Sequence, residues 1–232
     1  ASELGGIEMF RKDFINNFSH EFKTPIVSIR GFAKQLERDD LTEEQRREYA
    51  HIIVTESERL ANMSSNILLL TKLENQQIIT DRSTYALDEQ IRNCILLLEK
   101  QWTDKNIDLR LDLDEISYLG NEEMMSHIWV NLIGNAIKYS PEGGALEISL
   151  MRVQNFIVAR ITDHGEGMTA ETQARVFEKF YQGDSAHAAE GNGLGLALVK
   201  RIVDMCGGKI TVNSAPGAGG TFSVYLPIEM PE

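Results

Sequence analysis

Apolar residues recur along the first third of the chain at alternating steps of three and four: Ile15, Phe18, Phe22, Pro25, Ile29, Phe32 and Leu36. Such a series is the seam of an amphipathic helix, predicted over residues 7–37. At ~1.5 Å per residue it would be on the order of 45 Å long. Arg38-Asp39-Asp40-Leu41 reads as a turn. Thr42 followed by Gln45 is a capping box, and a second stripe then runs through Tyr49, Ile53, Leu60, Met63, Ile67 and Leu70, widened by Ile52 and Leu73. Glu56 falls on this stripe and interrupts it; a buried charge of that kind can set register. One hairpin of two long helices cannot cover two wide seams, whereas two hairpins in a four-helix bundle can. The pattern predicts a homodimer through residues 7–78. The alternative is a monomer whose seam packs on the rest of the chain.

Beyond a polar stretch at 75–83 the period changes. Residues 85–87 read as a short strand, and Asp88 as the cap of a helix reaching 103. Residues 107–113 alternate with period two, a strand with one buried face. Asn121 opens a helix to Tyr139. Strands at 145–151 and 156–163 flank a turn at Gln154-Asn155, a helix covers 193–206, and strands at 208–214 and 220–226 close the chain. Runs of strands with helices to one side predict an α+β two-layer sandwich. The expected organisation is therefore multidomain: an all-α antiparallel helical hairpin over residues 1–80, then the sandwich over 83–232.

Composition narrows the partners. A net charge of −12 provides no basic field for nucleic acid or an anionic membrane, so a phosphate ligand would have to be held by local groups. Cys94 and Cys206 form neither a disulfide framework nor a zinc pattern, which suits a reducing cytosol. No run of about 18 apolar residues is present to span a bilayer, and no signal peptide is expected. The abrupt start at Ala1 is compatible with a boundary inside a longer protein.

The chemistry-bearing residues fall into short clusters. His20 lies about 200° round the helix from Phe18, facing water, with Glu21 beside it and Thr24 one turn on. Pro25 has no N–H to offer the carbonyl of Glu21, which predicts a bend just after His20. An exposed imidazole with an adjacent carboxylate suits an activated nucleophile; a solvated surface histidine is the plainer alternative. Asn131, Asn135 and Lys138 share one helix face. Carboxamide oxygens suit a hard cation that keeps most of its waters and bridges phosphates, namely Mg²⁺, although such a face is often simply solvated. In Asp163-His164-Gly165-Glu166-Gly167 a strand ends at a carboxylate followed by glycines that let a ring approach the backbone. Gly191-Asn192-Gly193-Leu194-Gly195 opens a helix whose N–H groups favour phosphate. Gly217-Ala218-Gly219-Gly220-Thr221 is a turn into a strand.

The order of these clusters resembles the catalytic core of a sensor histidine kinase of a two-component system, over essentially the whole chain. The phospho-acceptor box is Phe18-Ser19-His20-Glu21-Phe22-Lys23-Thr24-Pro25. It is followed by an Asn box at 131–139, the Asp-x-Gly-x-Gly box at 163–167, a Phe box at Phe177-Glu178-Lys179-Phe180-Tyr181, and the glycine box at 191–196.

The resemblance implies a dimerisation and histidine-phosphotransfer domain followed by an ATP-binding domain of the Bergerat type shared with Hsp90, MutL and gyrase B. ATP and Mg²⁺ are the implied cofactors. His20 would take the γ-phosphoryl group, Glu21 would accept the other ring N–H, and Thr24 would orient water for dephosphorylating a regulator. Asn135 would hold Mg²⁺ with Asn131 beside it. Lys138 would touch phosphate and Tyr139 pack on the nucleotide. Asp163 would bind the adenine amine between walls shaped by Gly165 and Gly167, with Thr221 nearby. Residues 181–192 would form a lid anchored by Phe177 and Phe180, and Gly191, Gly193, Leu194 and Gly195 would close on the phosphates. The implied partner is the receiver domain of a response regulator, and the implied setting is the cytoplasmic part of a membrane-anchored bacterial sensor. Asn131 stands where ATP-hydrolysing relatives commonly carry a glutamate base, and an amide cannot act as one, which favours transfer over hydrolysis. The lid carries no Lys or Arg, and Gln182 and Ala186 stand where family members often have Arg; either the γ-phosphate would be held less tightly, or Lys179, His187 or another residue would substitute. His164 replaces a common Asn. A nucleotide-dependent scaffold and an ATPase without a histidine acceptor are the competing functions.

Overall fold

A computed structural model describes residues 2–76, 78–183 and 193–228, with side chains from Ser19 onward. Two helices form the hairpin, α1 (Ser2–Leu36) and α2 (Glu43–Asn75). The capping box is made in full: Gln45 N–H donates to Thr42 Oγ1 at 3.2 Å, and Thr42 N–H to Gln45 Oε1 at 3.0 Å. The expected bend at Pro25 does not break α1, whose helical backbone continues through the proline. Phe32 and Tyr49 pack across the hairpin with ring centroids 5.3 Å apart.

The remaining elements are β1 (Ser83–Ala86), α3 (Leu87–Leu97), α4 (Glu99–Asp104), β2 (Asp108–Leu113), β3 (Ser117–Gly120), α5 (Glu122–Tyr139), β4 (Ala145–Val153), β5 (Phe156–Asp163), α6 (Ala170–Arg175), α7 (Gly195–Met205), β6 (Lys209–Ser214) and β7 (Gly220–Pro227). Five strands form one sheet in the order β2-β4-β5-β7-β6, and β1 pairs with β3 in a small separate ribbon. The pairing β2–β4 is parallel and the others in the large sheet are antiparallel. Leu146, Ile148 and Leu150 alternate inward along β4, the period-two signature of a sheet with one packed face. Over that face lie α5 and α7, with Ile128, Leu132, Ile133, Leu198, Val199 and Ile202 fully buried. This is the two-layer α+β arrangement expected.

Two local expectations are corrected, and one strand is added. Asp88 does not cap α3: the N-cap is Ala86, with no side-chain cap bond. The Asp88 carboxylate is buried and accepts from Ile116 N–H at 3.2 Å instead, tying α3 to β3. The single helix expected to residue 103 breaks at Leu98, so that α3 and α4 are separate. Strand β3 carried no independent sequence signal, because four residues are too few to establish a period.

Residues Met63, Leu70 and Leu73 of α2 belong to the same apolar core as the sandwich. The α2 seam is thus partly covered from within the chain, while Ile26 (50% exposed), Val27 (45%) and Val54 (52%), which lie off the predicted seams, are open apolar side chains of the hairpin. Arg201 of α7 fixes this junction. Its guanidinium donates to the carbonyl of Leu73 at 3.1 and 2.6 Å and to that of Gln76 at 3.1 Å, supplying a cation and donors where α2 ends in unsatisfied carbonyls. Lys179 pairs with Glu74 across the same junction.

Candidate functional site

Asp163 sits at the end of central strand β5, opposite Leu146 of β4 and Gly220 of β7. It is buried, and its Oδ1 accepts from the N–H of Gly165 at 2.9 Å. Burial raises its pKa above the ordinary carboxylate value, opposed by hydrogen bonds from the backbone N–H groups of Gly165 and Gly220. The loop after it is pressed against its neighbours. A Cβ at Gly165 would lie 2.1 Å from the carbonyl oxygen of Tyr139, and one at Gly167, whose φ is +70°, would lie 1.9 Å from that of Ala215. Glycine is required at both positions. The loop is braced from β6: Met168 N–H donates to Ser214 Oγ at 2.9 Å, Gln173 Nε2 to the Ser214 carbonyl at 2.8 Å, and Gly217 N–H to the Glu166 carbonyl at 2.6 Å. Thr221 lies beside this end of the sheet, its hydroxyl 3.0 Å from that of its register partner Thr162.

Helix α5 brings its Asn face alongside. Asn131 Nδ2 donates to the His127 carbonyl at 2.7 Å. Its Oδ1 comes so near the start of α7 that a Cβ on Gly195 would sit 2.3 Å away. Asn135 and Lys138 are half-buried one and two turns further on, and Lys138 Nζ lies 4.7 Å above the ring of Tyr139. The end of α5 is held by Lys105, whose ammonium donates to the carbonyls of Ile137 (3.0 Å), Lys138 (2.6 Å) and Ser140 (3.0 Å). Sequence reasoning missed Lys105; a lysine before a strand, distant from the helix it caps, leaves no local signal.

The ends of the lid meet. Phe180 N–H donates to the Gly193 carbonyl at 2.8 Å, with φ +61° at Phe180 and +63° at Gly193. Phe177 packs edge-on against Phe222 of β7, centroids 6.3 Å apart. Leu194 is fully buried at the head of α7. Gly191 and His187 lie outside the described residues. Lys179, one of the cations expected to serve the lid, is engaged with Glu74.

His20 is exposed on α1, and the Thr24 hydroxyl donates back to its carbonyl at 3.3 Å. Glu21 is half-buried. Its Oε2 lies 3.4 Å from Nε2 of Gln182 at the base of the lid and 3.5 Å from the guanidinium of Arg59 on α2. The candidate residues therefore form two groups, one around Asp163 and one around His20, joined through Glu21 and Gln182. The recess between α3 and the start of α5, lined by Gln90, Asn93, Cys94 and Glu122 among others, shares no residue with either group.

The site fits an adenine nucleotide. A buried carboxylate stands at a strand end, held in a loop that closes only on glycines, and a glycine-opened helix faces an asparagine side chain. Among the described residues no group of three His, Cys, Asp or Glu is placed to hold a metal ion. A cation here would be bound by a carboxamide oxygen together with the ligand's own phosphates and water, the phosphates being ligands on which Mg²⁺ sites commonly rely.

The fold and the two groups of residues define a phospho-acceptor hairpin joined to an ATP-binding sandwich, and the family comparisons agree. Residues 10–76 match the His Kinase A (phospho-acceptor) domain, and residues 120–230 match the histidine kinase-, DNA gyrase B- and HSP90-like ATPase family. The chain belongs to the histidine kinase family and has the catalytic core of a two-component sensor kinase. Among individual proteins it is 36% identical over 221 residues to the heme sensor protein HssS of Staphylococcus saprophyticus, covering 95% of this chain and 47% of that protein. Full-length ShkA in complex with AMPPNP superimposes with a TM-score of 0.69 at 26% identity, over 94% of this chain and 46% of that one. The histidine kinase ThkA in complex with the response regulator TrrA superimposes with a TM-score of 0.76 at 20% identity, over 94% and 61%, a likeness of fold. The chain spans about half the length of the curated relatives it matches. No helix among the described residues is long and apolar enough to cross a membrane.

Proposed function

We propose that the chain phosphorylates itself on His20 from ATP and passes the phosphoryl group to an aspartate on the receiver domain of a response regulator. The observation that carries this reading is the approach of Gln182, at the base of the lid, to Glu21, the neighbour of exposed His20, at 3.4 Å. Acceptor and nucleotide lid are within reach of each other in one chain.

In the reaction a neutral His20 nitrogen attacks the γ-phosphorus in line. The N–P bond forms as the bond to the bridging β,γ oxygen breaks, and ADP leaves. Glu21 accepts the other ring N–H and stabilises the charge that develops on the imidazole. Asp163 receives the adenine amine, Gly165, Gly167 and Thr221 shape that end, and Tyr139 flanks it. Asn131, Lys138, Phe180, Gly191, Gly193, Leu194 and Gly195 line the phosphate side. Bound Mg²⁺, held by Asn135, would neutralise phosphate charge. Thr24 serves the opposing hydrolytic activity, positioning water against a phosphorylated regulator, with inorganic phosphate and free aspartate as products, once its hydroxyl turns from the His20 carbonyl.

The reading extends to the assembly. Two hairpins pair through residues 7–78, covering the exposed Val27 and Val54 with a second copy. Residues 1–80 form the phosphotransfer domain and 83–232 the ATP-binding domain of the cytoplasmic part of a membrane-anchored sensor. The test is incubation with γ-labelled ATP and Mg²⁺, comparing the native chain with His20→Gln. An acid-labile, base-stable label on the native chain alone supports the reading. A label retained by His20→Gln, or none on a native chain that binds ATP, refutes it.

A further inference from the structure

Glu56 is the residue that breaks the apolar stripe of α2, and its setting reveals a second charge at the acceptor. The side chain is 23% exposed, with an enclosed Oε2 that accepts no hydrogen bond among the described residues. It lies 3.9 Å from Nη1 of Arg59, one turn on, and Nη2 of Arg59 reaches across the hairpin to within 3.5 Å of Glu21 Oε2. The Arg59 side chain is 20% exposed and that of Glu21 22%. A carboxylate partly withdrawn from water is favoured beside a cation. Within the hairpin that cation is Arg59, and Glu56 balances Arg59 in turn.

We propose that Arg59 is a positioning residue for the phosphorylation of His20: its planar guanidinium, anchored by Glu56, holds the Glu21 carboxylate in the orientation from which it serves the imidazole. The proposal rests on the kinase reading above. Three features support it. Arg59 acts from α2, so the hold does not depend on where the nucleotide domain sits, unlike the contact from Gln182. A fork with two faces can bridge two carboxylates at once, which a lysine ammonium on a flexible stem does less well. Both links are longer than a tight charge-assisted bond of about 2.7–2.9 Å, so Glu21 is guided without being locked and can turn between Arg59 and the ring. Without Arg59, Glu21 and Glu56 would lose the guanidinium that approaches both, and Glu21 would swing toward water.

The experiment measures initial rates of acid-labile labelling across ATP concentrations for the native chain, Arg59→Gln, Arg59→Lys, Glu21→Gln and the double variant Arg59→Gln/Glu21→Gln. Arg59→Gln is expected to lower kcat about tenfold or more, the scale on which misplacing a reacting group acts, with KM for ATP within about twofold of native. Arg59→Lys should recover part of the rate. In the Glu21→Gln background, Arg59→Gln should cost almost nothing more, because what Arg59 holds has lost its charge. Native kcat in Arg59→Gln overturns the proposal, and so does a loss that simply adds to that of Glu21→Gln. Should Arg59→Gln fail to fold, Arg59→Lys decides: reduced kcat with native melting supports the role, and native kcat refutes it. A native chain that takes no label sinks the kinase reading itself, an outcome distinct from a labelled native chain indifferent to Arg59.

Discussion

Gly195→Ala separates catalytic geometry from stability. The added Cβ would sit 2.3 Å from Asn131 Oδ1, against an ordinary contact of 3.4 Å or more. The obstruction is the end of a side chain, so Asn131 can rotate away by about 1 Å. Its bond to the His127 carbonyl, at 2.7 Å, would then be strained or lost, at a cost of ~1 kcal/mol. Against this, alanine is worth roughly 0.5–1 kcal/mol over glycine in a helix, and part of that is realised at the first residue of α7. The two effects nearly cancel, and the melting temperature should stay within a few degrees of native. Function should not survive so well. A displacement of about 1 Å in a positioning group costs on the order of a hundredfold in rate, and here it falls where the Asn face meets the head of α7, the helix proposed to face the phosphates. The assay pairs initial-rate labelling with thermal melting followed by circular dichroism. A variant that labels within about threefold of native would refute the reasoning, showing that the packing of Asn131 against Gly195 has no bearing on the reaction.

Other outcomes follow from the same geometry. Gly165→Ala drives a Cβ into a backbone carbonyl at 2.1 Å, which cannot rotate away, so melting should fall by the ~1–3 kcal/mol typical of overpacking together with nucleotide binding measured by calorimetry. The raised pKa of Asp163 means that the folded chain holds its proton to higher pH than the unfolded chain. That contribution to stability is present below the ordinary value of 3.8 and is lost as pH rises through the raised one. Asp163→Asn should flatten this part of the melting-versus-pH curve while abolishing ATP binding; an unchanged curve would contradict the burial argument. Thr42→Ala removes one half of the capping box and should cost about 1 kcal/mol, seen as earlier chemical unfolding of the hairpin with labelling chemistry intact.

The elements that carry function were legible because each rests on a local rule. A seven-residue seam, the Thr42 and Asn121 caps, the period-two alternation that marks β2, and glycines ahead of α7 are readable without knowing what lies across the core. The exposure of His20 followed from its angle to Phe18. What depended on tertiary structure is equally specific. The pairing of β2 with β4 ahead of β5, the break at Leu98, and the diversion of Asp88 from cap to bridge are fixed by partners distant in sequence. Gly165 reads as flexibility in the sequence, yet it is required because Tyr139, at the end of another element, presses on it. Arg59 gave no signal alone. Glu56, an acid on an apolar stripe, was read as setting register, and that the Arg59 beside it also approaches Glu21 is visible only once α1 is laid against α2. Sequence periodicity determines which face of each element is buried; long-range packing decides which polar groups meet there, because a charge withdrawn from water takes whatever partner the fold provides.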